Sequence, residues 1–175
     1  MISAPEPAEY SPFYADYIRE AGSADPVATM RAQLESTGAL LDGVREERGG
    51  YRYAPDKWSI REIVGHLADT ERIMSYRALR LARGDQVALP GFDENAFVAA
   101  AGFDRRTLAS LIEEWRAVRR ASIALFEGLA GDDLHHRGIV NDGPMSARAL
   151  AWIIPGHERH HVNVLRKRYG VGGGA

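Results

Sequence analysis

Apolar positions recur at three- and four-residue steps along almost the whole chain, and no convincing alternating strand interrupts them. Between Glu9 and Glu20, the residues Tyr10, Phe13, Tyr14, Tyr17 and Ile18 suit a short helix or arm that docks aromatic rings on a larger body. Asp25-Pro26 reads as the N-cap and first position of a long helix. Its Val27, Met30, Leu34, Leu41 and Val44 keep one face, and Gly49-Gly50 is expected to end it. Ser59 with Glu62 three residues on forms a capping box. That box opens a second helix, predicted from Ile60 to Leu81 and stopping before Gly84. A third helix is predicted from Arg106 to Leu129, with Leu108, Leu111, Ile112, Trp115, Val118, Leu125, Phe126 and Leu129 on one face. After the "NDGP" loop, Ser146 caps a last helix that continues to about Tyr169. Residues 171–175, "VGGGA", are expected to form a flexible tail.

Four long amphipathic helices predict an all-α fold, a four-helix bundle over residues 26–170 preceded by an arm over 1–25. The second and third helices are joined by a long connection, "GDQVALPGFDENAFVAAAGFD", with one short helix expected after Asp93. Such a crossover can roof one end of a bundle.

Composition narrows the function. The chain has 175 residues, about one ordinary domain, with 45% hydrophobic and 26% charged residues, as in a soluble globular protein. A net charge of −2 and a pI near 6.3 carry no footprint for nucleic acid. The basic pairs Arg105-Arg106 and Arg119-Arg120 are interleaved with acids and read as solvated helix faces. There is no cysteine, so disulfides, thiolate metal sites and a cysteine nucleophile are excluded; any thiol chemistry needs an external thiol. The first 25 residues show neither a basic n-region nor an apolar h-region, and no apolar run approaches a membrane span. The expectation is a cytoplasmic protein with a small-molecule substrate, and neither nucleic acid nor membrane as partner.

The segment "IIPGHERHH" (153–161) places three of the six histidines within five positions. On an ideal helix at 100° per residue, His157 and His161 each lie about 20° from the centre of the apolar face, and His160 about 80° away. An i, i+4 pair facing a core suits a shared metal ion, a hydrogen-bonded structural network or an acid/base pair. His135 and His136 fall in a polar loop. His66 is the better third partner, although it lies about 90° from the apolar centre of its own helix, which favours a site in a groove between helices. Glu62 and Thr70, one turn either side, could orient its imidazole or supply a further oxygen ligand. Glu62 or Glu158 could act as a base, but a surface acid paired with an arginine is the plainer reading, and Glu158 is expected to point outward. Pro155 should kink the last helix or begin a new segment. Trp58 and Trp152 could line a pocket or belong to the core.

"KWSIREIVGHLADTE" (57–71) followed by "GHERHHVNVLRKRYG" (156–170) resembles the DinB/YfiT-like superfamily, over about 140 residues from the first long helix to the last. The resemblance implies a four-helix bundle that binds a divalent metal, nickel or zinc, through His66, His157 and His161. It also implies a homodimer and, in several branches, transfer or isomerisation dependent on low-molecular-weight thiols such as bacillithiol or mycothiol. The expected function is therefore a metal-dependent enzyme, either a thiol-dependent transferase or a hydrolase. The alternative is a non-catalytic, metal-stabilised dimerisation or ligand-binding bundle.

Overall fold

A computed structural model describes residues 1–173. Short 3-10 turns at Pro7–Glu9 and Pro12–Tyr14 lead into α1 (Ala15–Ala21), followed by α2 (Pro26–Asp42) and a 3-10 segment at Glu46–Gly50. Then come α3 (Ile60–Ala82), α4 (Glu94–Ala101), a 3-10 turn at Phe103–Arg105, α5 (Leu108–Glu127) and α6 (Gly131–His135). A hairpin of β1 (Arg137–Val140) and β2 (Gly143–Ser146) runs directly into α7 (Ala147–Tyr169).

The starts of α2, α3, α4, α5 and α7 are set by side-chain caps that satisfy orphan amides of the first turn. Asp25 Oδ1 accepts from the amides of Val27 (3.0 Å) and Ala28 (3.2 Å), while its Oδ2 accepts from the Ile2 amide and ties down the N-terminal segment. At α3 both arms of the capping box form, Glu62 amide to Ser59 hydroxyl and Ser59 amide to Glu62 carboxylate. Asp93 caps α4 by accepting from the Asn95 and Ala96 amides, and Ser146 caps α7 by accepting from the Ala149 amide.

The bundle is α2, α3, α5 and α7. Both α2 and α3 lie against α5 and α7, so the two helices that follow one another in sequence sit diagonally across the bundle. Helix α1 lies along α7 as a fifth, outer layer. Apolar stripes meet in two clusters. One is built on Met30, Met74, Leu81, Phe126, Leu150 and Ile153, the other on Leu41, Ile60, Leu67, Leu111, Trp115 and Leu165.

Several boundaries differ from the sequence expectation. The first long helix ends at Asp42 and not at Gly49-Gly50. The chain then turns because Glu46 is drawn across the bundle end, where its carboxylate accepts from the Leu108 amide (2.9 Å) and pairs with Arg61 (2.6 Å). The third long helix begins at Leu108, since Thr107 caps the Ser110 amide. The expectation of no strand is corrected by the β1–β2 hairpin, paired from Arg137↔Ser146 to Val140↔Gly143. Its turn residues Asn141 (φ 51°) and Asp142 (φ 60°) both adopt the left-handed conformation, which a two-residue hairpin turn requires. Pro155 neither ends α7 nor starts a new segment: the helix runs through it, and Gln33 Nε2 donates to its carbonyl (2.8 Å). After α7, Val171 is buried and its amide reaches the Leu165 carbonyl (3.1 Å). Residues 174 and 175 of the expected tail lie outside the described residues. Among the described residues, no helix is long and apolar enough to cross a membrane.

Candidate metal centre

Where α3 packs on α7, His66 from the first meets His157 and His161 from adjacent turns of the second. His157 Nε2 lies 3.1 Å from His66 Nε2 and 3.1 Å from His161 Nε2. One ring nitrogen from each residue falls within 4.8 Å of the other two. Three nitrogens about 2.0–2.1 Å from one tetrahedral ion stand about 3.3 Å apart, so the spacing fits a shared divalent ion. Burial holds the three imidazoles neutral, as ligation requires. It lowers His66 to about 4, and takes His157 and His161 well below the usual histidine range, helped at both by neighbouring imidazoles.

His66 is only 5% exposed, although its own helix places it at the edge of the apolar face. Trp58 explains the difference. Its half-buried indole stands 4.6 Å from the His66 ring and stacks on His161 at 6.3 Å, closing the side of α3 that α7 leaves open. One turn after His66, Thr70 Oγ1 lies 3.3 Å from Nδ1 and 3.5 Å from Nε2, beside the ring it helps to orient. Trp152 takes the other option considered for the tryptophans: it is core, its Nε1 donating to the Ser3 carbonyl (3.1 Å).

The acids are placed otherwise than the sequence suggested. Glu62 spends its carboxylate on the capping box and on Arg52 (2.5 Å), not on His66. Glu158 does not point outward; it is 1% exposed and enters the bundle, where Thr37 donates to it (2.7 Å). Arg119, expected on a solvated face, is also 1% exposed. It bridges Glu158 (2.5 Å) and Glu71, the latter through two bonds of 2.8 Å, and donates to Gln33 (3.1 Å). Glu71 and Arg119 carry no sequence signal of their own beyond lying on core-facing positions of α3 and α5. The resulting network locks α2, α3, α5 and α7 together directly beside His157.

A cavity of about 280 Å³ opens above the histidines. Tyr17 of α1 forms part of its wall, with its ring 5.3 Å from His157 and 5.7 Å from His160. His160 itself stays half-exposed, beside Glu20, outside the converging trio. His135 and His136 are exposed on and beside α6 and do not approach the site; His136 Nδ1 lies 3.0 Å from the Ala82 carbonyl. A second hollow of about 250 Å³ reaches His161 from the other side of Trp58, between Tyr53, Lys57 and Tyr169.

Among solved structures, the fold is similar to that of YfiT from Bacillus subtilis, described as a probable metal-dependent hydrolase with an unusual four-helix bundle topology. The TM-score is 0.68 at 15% identity, covering 96% of this chain and 94% of that one. It is also similar to the mycothiol-dependent maleylpyruvate isomerase, with a TM-score of 0.66 at 13% identity over 84% of this chain and 60% of that one. At these identities the likeness speaks for the fold. No curated protein sequence matches this one. The sequence pattern of the DinB superfamily, however, matches residues 29–165, from early α2 to late α7 and across all three converging histidines, and the chain belongs to that superfamily.

Proposed function

We propose that this protein is a metal-dependent enzyme in which His66, His157 and His161 hold one divalent ion, nickel or zinc, and that it transfers or hydrolyses a small-molecule substrate. The observation that carries this reading is the convergence of three neutral Nε2 atoms on the floor of a cavity. Among the described residues no fourth His, Cys, Asp or Glu joins the group, which leaves a position facing the cavity, as catalytic sites keep and closed structural sites do not. The non-catalytic alternative loses ground for that reason. When bound, such an ion supplies a Lewis acid that polarises a carbonyl or lowers the pKa of an incoming water or thiol.

The surrounding residues have assignable roles. Thr70 orients the His66 ring, Trp58 and Tyr17 limit water at the histidines, and the Glu71–Arg119–Glu158 network fixes the turn of α7 that carries His157. Two hollows share Trp58 and His161 in their linings, which accommodates the two reactants of a transfer as well as the substrate of a hydrolysis. The absence of cysteine is in keeping with a thiol brought in from outside. With the superfamily resemblance, this reading extends to a cytoplasmic homodimer, which sedimentation of the purified protein checks.

The test is elemental analysis of the wild type and of His66→Ala, His157→Ala and His161→Ala. About one transition metal per chain is expected in the wild type, with strong loss in each variant. Undiminished metal in His66→Ala would remove the cross-helix part of the site. Thiol-transfer and hydrolase assays after reconstitution with Ni²⁺, Zn²⁺ or Mn²⁺ then separate the two reaction classes.

A further inference from the structure

Helix α3 lays His66, Thr70, Met74 and Arg77 along one wall of the larger cavity, at steps of four, four and three residues. The stripe begins at the histidines and ends at a guanidinium. The eleven positions from His66 to Arg77 span about 16 Å of helix rise. The guanidinium reaches back along the stripe to Met74, its Nη1 3.8 Å from the sulfur.

Arg77 is 3% exposed. The chain's other buried arginines each face carboxylates: Arg119 has Glu71 and Glu158, and Arg148 has Glu9. Among the described residues, no carboxylate lies within the 4.0 Å of an ion pair from Arg77. Its partners are neutral, the Pro90 carbonyl at 2.6 Å and the Met74 sulfur at 3.8 Å, with the Phe92 ring 5.6 Å below the guanidinium. Burial accordingly pushes its pKa down, with Tyr14 only partly offsetting this. A buried cation without a counter-charge is costly, and a guanidinium has five donors in a fork that matches a carboxylate. Asn141, held in the left-handed turn of the hairpin, lines the same cavity and offers a further amide. The single acid on the lining, Glu94, is exposed.

We propose that Arg77 is the anion-binding end of this cavity, and that the ligand is a small organic carboxylate whose carboxylate pairs with Arg77 while its other end reaches the histidines. This deepens the enzyme reading by naming a substrate class, and it rests on that reading only for what happens at the histidine end. Pairing at Arg77 needs no metal. A cavity of about 280 Å³ suits a small organic molecule.

The test is calorimetric titration of the full chain, metal-free and zinc-loaded, with glutaramate, which carries one carboxylate, and glutaramide, which carries none. Glutaramate is expected to bind metal-free wild type at least about tenfold more tightly, the usual scale for a charge-assisted pair. Arg77→Met should abolish that preference and Arg77→Lys should keep part of it. In the wild type, the Nε–H resonance of Arg77 should shift on titration with glutaramate, a readout that holds even if Arg77→Met does not fold. The proposal is overturned if the two probes bind alike, if glutaramate fails to bind at millimolar concentration, if Arg77→Met keeps the preference, or if the Arg77 resonance stays still. Zinc uptake without a carboxylate preference sinks this inference alone. A carboxylate preference without zinc uptake sinks the metal reading alone.

Discussion

A Cβ placed on Gly156 would sit 1.8 Å from the carbonyl oxygen of Tyr17. Helix α1 can therefore rest on α7 only because position 156 has no side chain, and that contact brings the Tyr17 ring against His157. Gly156→Ala should push α1 off the bundle and uncover the histidines. A loss of about 1–3 kcal/mol, or more, is expected from forcing an atom into a closed contact. Gly131→Ala is the control, since a Cβ there meets nothing within 4 Å, and it should stay within about 0.5 kcal/mol of wild type. Urea unfolding of the two variants checks the contrast. A Gly156→Ala protein as stable as the control would mean that α1 does not hold this position.

Thr70 sets its hydroxyl beside the His66 ring, 3.3 Å from Nδ1 and 3.5 Å from Nε2. Partners of this kind orient a ligating imidazole, and their loss typically weakens metal binding about 10–100-fold. Thr70→Val keeps the shape and removes the acceptor, so zinc affinity measured by competition with a chelator should fall by that factor. Thr70→Ser should retain most of it. Equal affinities in the wild type and the valine variant would leave Thr70 as packing only.

Arg119 pairs with two buried carboxylates, from Glu71 and Glu158. Removing the cation leaves both acids facing each other without compensation, a situation that costs about 3–5 kcal/mol. Arg119→Met should thus be strongly destabilised at neutral pH by urea unfolding. The double variant Glu71→Leu with Arg119→Met removes one of the stranded acids and should recover part of the loss. A single variant with wild-type stability would mean that the three charges are not coupled.

Most of the long helices were legible because they announce themselves locally, α2, α3 and α7 by an Asp or Ser cap and all four by an apolar stripe, whereas the Thr107 cap of α5 and the end of α2 were not read. The histidine trio was legible for a related reason, since two members share one turn-to-turn face and the third stands in a strongly capped helix. Arg119 and Glu158 were not, because a charge in mid-helix looks solvated until the opposing helix supplies its partner. The hairpin escaped notice because its strands have four residues each, with Ile139 facing solvent and Pro144 interrupting any alternation. Tyr17 lies 140 positions from His157 in sequence (157 − 17 = 140), so its place beside the site follows only from the docking of α1 on Gly156.

Glu9 is fully buried against Arg148, which donates to it through Nε at 2.7 Å and again through Nη2. Burial by itself pushes the Glu9 carboxyl up, but the Arg148 hydrogen bonds, the Glu6 amide and Ser146 outweigh it and lower its pKa to about 2. A carboxyl whose folded value lies below its unfolded value of about 4.3 stabilises the fold above that pH, and the contribution fades as pH falls toward the folded value. Between about pH 5 and pH 2 the wild type should therefore lose up to about 3 kcal/mol from this one group. Glu9→Gln cannot titrate there, so it should start less stable at pH 7 and lose less on acidification. The two stability curves should converge near pH 2. Urea midpoints measured at half-unit steps test the convergence, and parallel curves across that range would show that Glu9 is not held ionised by Arg148.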